Sequence, residues 1–469
     1  MLREMQWVSY ADNLGVEIRQ CETEGKDVTG YYEKAVQLRK QGLPFEQAEI
    51  EAMKLHDELA GLPIREDFGF VEPSGLSAIQ KECELSPPLA EYRASKEEAY
   101  DKIYGAWLGR CCGCLLGQPI EGYDRGYIVG LLKDTGNYPV SYYISSDIPR
   151  ELREKYEIVD EGKIYGSNTV NWINNVNYMP EDDDTNYTLI ALKVMEEKGY
   201  DFTPEDVAEI WLDCLPYGHV CSAERIAYRN FVNVIAPPES ASFRNPYREW
   251  IGAQIRSDLF GYVTPGNPAY GAELAWRDAS ISHTKNGIYG AMFVAAMLSA
   301  AAVSEDIEEI IRLGLAQIPR RSRLYGKIME TLDNRRKYTS WEQAIEAVHQ
   351  EYDEDSTQDE NHISFDWCHT ISNAVIVTAA LLYGNGSLEQ SLGIAISAGF
   401  DTDCNGATVG SVIGMIKGAK KLPQKWTAPL KDQIKSGVDG MGLVKISEIA
   451  ARTAAVMEKN EKNKVMEEQ

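Results

Sequence analysis

Positive charge is scarce in this 469-residue chain: 47 lysines and arginines face 72 aspartates and glutamates, a formal net charge of −25. A chain so acidic repels phosphate backbones, which argues against nucleic acid as a partner. Long apolar runs are lacking as well. The most continuous, Ala291 to Val303, falls short of a bilayer's width and reads as a buried helix, so no membrane partner is expected. The opening residues, Met1-Leu2-Arg3-Glu4, lack the basic and then apolar layout of a secretory signal. The six histidines are dispersed, and the nine cysteines are an odd set without a second pair at zinc-site spacing. Free thiols in a reducing compartment follow, and a cytoplasmic protein is expected. Cys111, Cys112 and Cys114 read as small residues at a close helix contact.

Helix signals fill the chain instead. Thr203-Pro204-Glu205-Asp206 has a cap, a first-position proline and first-turn acids, with Phe202 and Val207 placed as a hydrophobic staple. Ser340 and Ser387 each stand three residues ahead of a glutamine, the spacing of a capping box. Asn186 to Lys198 carries helical periodicity and stops at Gly199. The best strand signal is Tyr156 to Tyr165, turning at Asp160-Glu161-Gly162. Nothing alternates strand with helix, so the expected fold class is all-α. Residues 1–95 read as an N-terminal helical extension separate from the body, 96–457 as the catalytic domain, and 458–469 as a frayed charged tail. Gly122 to Pro180 is rich in tyrosine, glycine and asparagine, and is expected to wall a pocket.

Two acidic clusters stand at helix starts. Asp182-Asp183-Asp184 precedes the helix beginning near Asn186, and Asp401-Thr402-Asp403-Cys404 precedes the segment Ala407 to Ile416. Each cluster by itself has a simpler explanation, since aspartates cap helix amides and complement the dipole. Brought together, two aspartate pairs can hold two hard cations about 3.5–4 Å apart. Ala407, Gly410, Ser411 and Gly414 share one helical face, which lets a neighbouring helix approach closely. His369 and Asn373, four apart near the second cluster, are further candidates. In Gly252 to Asp258, Gln254 and Asp258 share a face, while Arg256 reads as one half of a surface ion pair.

Four ordered motifs resemble the ADP-ribosylglycohydrolase family, of the dinitrogenase-reductase-activating glycohydrolase type. Tyr104 to Glu121 looks like its opening helix and following acid, and Asp182 to Thr185 like its first metal motif. Ser282-His283-Thr284 with Gly287 to Gly290 looks like its central substrate-binding segment, and Gly399 to Asn405 like its second metal motif. The resemblance implies an orthogonal helical bundle with two magnesium or manganese ions. It implies cleavage at the anomeric carbon of a ribose, in a ribosylated small molecule or an ADP-ribosylated protein. It implies metal ligands at Asp183, Asp184, Asp401 and Asp403, with Asp182 and Cys404 beside them. It further implies catalysis by Glu121, with Asp182 as a second candidate. Substrate contacts are implied at His283, Asn286, Gly287 and Tyr289. At three positions the chain departs from the family's pattern: Asp182 replaces threonine, Cys404 replaces threonine or serine, and Cys114 replaces aspartate. Those departures keep two other readings open, a hydrolase of a small N-ribosyl metabolite or nucleoside, and a non-catalytic binding protein on the same scaffold.

Overall fold

A computed structural model describes residues 7–87, 89–164, 167–359 and 362–467. Among them are twenty-three α-helices and two small two-stranded sheets, so the fold is all-α, as its capping and periodicity signals imply. Four helices precede the body: α1 (Tyr10–Thr23), α2 (Tyr31–Lys40), α3 (Phe45–Gly61) and α4 (Leu76–Glu82). The body opens with α5 (Lys96–Gly117), whose start is closed by a reciprocal capping box between Ser95 and Glu98. Thr203 and Asp206 form the same box at the helix Pro204–Cys214, and Phe202 and Val207 are both buried there.

The centre of the body is a contact between α5 and the helix Thr402–Lys417, running antiparallel. Gly105 faces Gly414, Gly109 faces Gly410, and Gly113 faces Gly406. A Cβ on Gly109 would lie 2.0 Å from the Gly410 carbonyl oxygen, and one on Gly113 would lie 1.8 Å from that of Gly406. Glycine at every fourth position is therefore what lets the two backbones touch. Cys111, Cys112 and Cys114 are buried on α5. The helix Ile446–Glu467 lies on another side of α5, where the Trp107 indole donates to Thr453 Oγ1 at 3.1 Å. The apolar stretch from Ala291 belongs to the buried helix Lys285–Ala301, and no described helix is long and apolar enough to cross a membrane.

Some local expectations shift. The hairpin pairs Glu161–Ile164 with Ser167–Thr169, so Asp160-Glu161-Gly162 leads into a strand and does not form its turn. Tyr165 and Gly166 lie outside the described residues. A second pair, Gln433–Lys435 with Leu443–Lys445, has no sequence signature, because strands of three residues carry no readable alternation. The segment before residue 95 has its own small core of Leu14, Ile18, Leu38, Ala52 and Leu59. It also meets the body through ion pairs, Arg248 with Glu17 and Glu24, all buried, and half-buried Arg323 with Glu72.

The glycine contact makes a direct prediction. Gly410→Val should force the two helices apart and lower the melting temperature, by about 1–3 kcal/mol or more of stability. Gly326, helical with nothing near its missing Cβ, should gain roughly 0.5–1 kcal/mol when changed to alanine. Equal effects in thermal denaturation would contradict the contact's role.

Candidate metal centre and its cavity

The antiparallel contact sets the end of α5 against the start of its partner. A Cβ on Gly117 would meet the Asp403 amide nitrogen at 2.4 Å, and Thr402 Oγ1 donates to the Gly117 carbonyl at 2.9 Å. Beyond Gly117 a short 3₁₀ turn, Gln118–Ile120, leads to Glu121. On the other side, Gly399 and Phe400 both take left-handed backbone angles (φ 78° and 59°), which turn the chain sharply into Asp401. Asn373 fixes that turn: its Oδ1 accepts from the Asp401 amide at 3.3 Å and from Asn405 Nδ2 at 2.7 Å.

The first acidic cluster comes from the helix Asp183–Lys198. Asp182 caps it, its Oδ1 accepting from the Asp184 amide at 2.9 Å while Oδ2 accepts from the Gln118 side chain. Arg110 on α5, fully buried, ties the cluster to the body. Its guanidinium donates to the Asp184 carbonyl at 2.6 Å, to Asp184 Oδ1 at 3.1 Å and to Asp258 Oδ2 at 2.8 Å.

Folding thus brings three segments to one place. Ligand atoms of Glu121, Asp401 and Asp403 lie within 4.8 Å of one another; so do those of Asp184, Asp403 and Cys404, and those of Cys114, Asp182 and Asp184. Asp184 and Asp403 each belong to two of these groups, so the three are contiguous. Asp184 Oδ2 and Asp401 Oδ1 are buried without a hydrogen-bond partner. Burial raises the pKa of Asp182, Asp184, Asp401 and Asp403, and neighbouring carboxylates raise Asp182 and Asp401 further. Glu121 is exposed as a residue, yet desolvation of its carboxyl, then Asp403 and Asp401, holds its pKa well above the ordinary range. Arg110 offsets only part of this charge. Unpartnered, buried, hard oxygen donors fit divalent cations that prefer oxygen. Burial first, and then the aspartates, push the Cys114 and Cys404 thiols far up, so the charged donors here are oxygens.

A cavity of about 830 Å³ opens onto the cluster, with Glu121, Asp183, Asp401 and Cys404 in its wall. Tyr247, Trp250 and Trp367 supply aromatic surface, and Arg225 and Glu224 line it too. Gly122 lines it, while Asn171, Asn175, Tyr178 and Pro180, from the tyrosine-rich stretch, border a separate cavity of about 120 Å³. Glu224 has no sequence signature. It is buried against Gly252, where a Cβ would come within 2.0 Å of Glu224 Oε1, and burial lifts its pKa to about 7 despite Arg256.

Arg256 corrects the surface-pair reading. It is buried, donates to Glu224 Oε1 at 2.6 Å and to Ser282 Oγ at 2.8 Å, and also pairs with Asp278. Charge in a sequence does not reveal burial, and these acids lie 22 and 32 positions away. His283 sits behind Glu224 rather than in the cavity wall, its Nε2 3.9 Å from Glu224 Oε1 and its Nδ1 2.8 Å from Ser282 Oγ. Burial drives its pKa well down, so the ring is neutral. Asn286 donates to Glu249 at 2.8 Å, Gly287 packs on the Arg248 carbonyl, and the Tyr289 hydroxyl donates to the Pro73 carbonyl at 2.5 Å. His369 caps the helix Thr370–Tyr383 by accepting from the Ile371 amide. None of these five, nor Asn373 or the wholly buried Asp182, lines the cavity.

The electrostatics fix a sign. Carboxyls whose folded pKa is raised bind more protons folded than unfolded, so they stabilise at low pH and lose that contribution as pH climbs above the ordinary carboxylate range. Cations compete for the same oxygens. Stabilisation by magnesium or manganese should therefore grow as pH rises above the ordinary carboxylate range, and Asp403→Ala should abolish it. A response that ignores pH, or survives in that variant, would remove these carboxylates from cation binding.

No curated protein matches the chain. One solved structure similar to it, titled an ADP-ribosylglycohydrolase-related protein complex, shares 18% identity with a TM-score of 0.46. The match covers 77% of this chain and 99% of that one. The sequence model described as ADP-ribosylglycohydrolase matches residues 95–463, from the cap of α5 through both acidic clusters. The chain is a glycohydrolase-type protein that belongs to the ADP-ribosylglycohydrolase family.

Proposed function

We propose that the acidic cluster is a divalent-metal centre and that the enzyme hydrolyses the bond between a ribose anomeric carbon and its leaving group. ADP-ribosylated proteins and ADP-ribose conjugates are the family's own class of such substrates. The observation that carries this reading is the convergence of Glu121, Asp184, Asp401 and Asp403 around two unpartnered buried oxygens beside a large cavity. Asp183, Asp184, Asp401 and Asp403 would hold magnesium or manganese, two ions on the family's pattern, with Cys404 alongside. Bound there, the cations would supply positive charge and Lewis acidity.

The chain's own groups do the rest. Cleavage at an anomeric carbon passes through an oxocarbenium-like state that an activated water captures. Glu121 lines the cavity; with cations offsetting the acids that raise its pKa it would be ionised, and its carboxylate would take the proton from that water while the leaving group departs with a proton from solvent. Asp182 has both oxygens engaged, by the Asp184 amide and the Gln118 side chain, and acts as a positioning group. Asn373 does the same for Asp401. Buried His283, Asn286, Gly287, Tyr289 and His369 would act on substrate only through the groups they support. All nine cysteines are free, which supports a reducing, cytoplasmic setting.

Glu121→Gln should fold and keep its cation-dependent stabilisation, yet lose at least about 100-fold in turnover of a ribosylated substrate. Turnover near the parent's rate would assign the water's proton to another group.

A further inference from the structure

The family match begins at residue 95, yet the cavity is lined by Trp7, Asp12, Asn13 and Val16, well ahead of it. This wall is fixed. Arg248 donates to Glu17 at 2.8 Å and to Glu24 at 2.7 Å, and all three are buried. Tyr247, itself in the cavity wall, donates through its hydroxyl to Asn13 Oδ1 at 2.7 Å, and Asn13 Nδ2 donates to the Trp7 carbonyl at 2.6 Å. Losing one partner of a buried ion pair is strongly destabilising, so these contacts hold the segment in place rather than letting it flap.

The lining chemistry says what such a wall admits. Five carboxylates contribute to it, Asp12, Glu121, Asp183, Glu224 and Asp401, and Arg225 is its only lysine, arginine or histidine among the described residues. Arg225 is already committed: it donates to the Val220 carbonyl at 2.7 Å, and its guanidinium lies 4.9 Å from the Trp7 ring centroid. Cations at the centre would offset Glu121, Asp183 and Asp401, and Arg256 pairs with Glu224. Asp12, exposed, has neither among the described residues. Among the described residues, then, no uncommitted arginine lines the cavity to receive a diphosphate, and Asp12 adds negative charge to its wall. A flat aglycone meets tryptophan and tyrosine rings, and a positive charge on it gains from both rings and carboxylates.

Resting on the ribosyl-hydrolase reading, we propose that residues 7–16 form a built-in specificity wall. It selects unphosphorylated ribosides with a flat, neutral or cationic aglycone over ADP-ribose.

The test separates binding from turnover. Full-length Glu121→Gln, loaded with magnesium, is titrated by calorimetry with nicotinamide riboside, adenosine and ADP-ribose. The expected order places nicotinamide riboside at least about tenfold tighter than ADP-ribose. Adding Trp7→Ala should weaken nicotinamide riboside about tenfold while cation-dependent stabilisation is retained, which shows that the variant is folded. Adding Asp12→Asn should narrow the gap to ADP-ribose. Tighter binding of ADP-ribose, no binding of either riboside, or indifference to both substitutions in a folded protein would overturn the wall. Ribosides that bind with this preference but are never cleaved by the parent enzyme would count against hydrolysis alone.

Discussion

The close contact between α5 and the helix Thr402–Lys417 is the constraint on which the rest depends. Two helices with ordinary side chains pack about 8–10 Å apart; glycine facing glycine along three successive turns lets backbone meet backbone. That proximity is what places Gly117 on the Asp403 amide and so puts Glu121 beside acids nearly 300 positions away. The chemistry needs carboxylates close enough to share a cation. Side chains between these helices would separate them.

The same closeness creates an electrostatic cost, and the surrounding structure answers it in part. Arg110 reaches from α5 into the first acidic helix and neutralises one oxygen of Asp184 while binding Asp258. Amides answer others: Asp182 accepts from Asp184, and Asp403 Oδ1 accepts from Cys404 at 2.9 Å. Asp184 Oδ2 and Asp401 Oδ1 are left without partners. Buried acids in that state must be protonated or meet a cation. A second ionic group, Arg256 with Glu224 and Asp278, supports the cavity wall at Glu224, with neutral His283 behind it.

How much of this the sequence discloses follows the range of the interactions. Capping at Thr203 and the glycine stop at Gly199 are local, and both stand in the structure. The small-residue face of Ala407, Gly410 and Gly414 announces a close neighbour, though not which one; its counterpart on α5 is the every-fourth glycine run from Gly105. The acidic clusters are visible because several aspartates stand together at a helix start. Glu224 stands alone in sequence, and its place depends on the space left by Gly252, so no motif marks it. Arg256 reads as any surface arginine until its partners Glu224 and Asp278 are known. The segment before residue 95 looks separable, since its charges resemble a solvated face. Its attachment runs through pairs such as Glu17 with Arg248, 231 positions apart, which composition cannot match up.

The central claim is that two acidic clusters distant in sequence form one cation site. The most direct measurement is manganese affinity by calorimetry for Asp183→Asn, Asp401→Asn and the double variant. A shared site predicts strong non-additivity, the double variant binding little worse than the weaker single variant. Losses that simply add, as for two independent sites, would contradict the account.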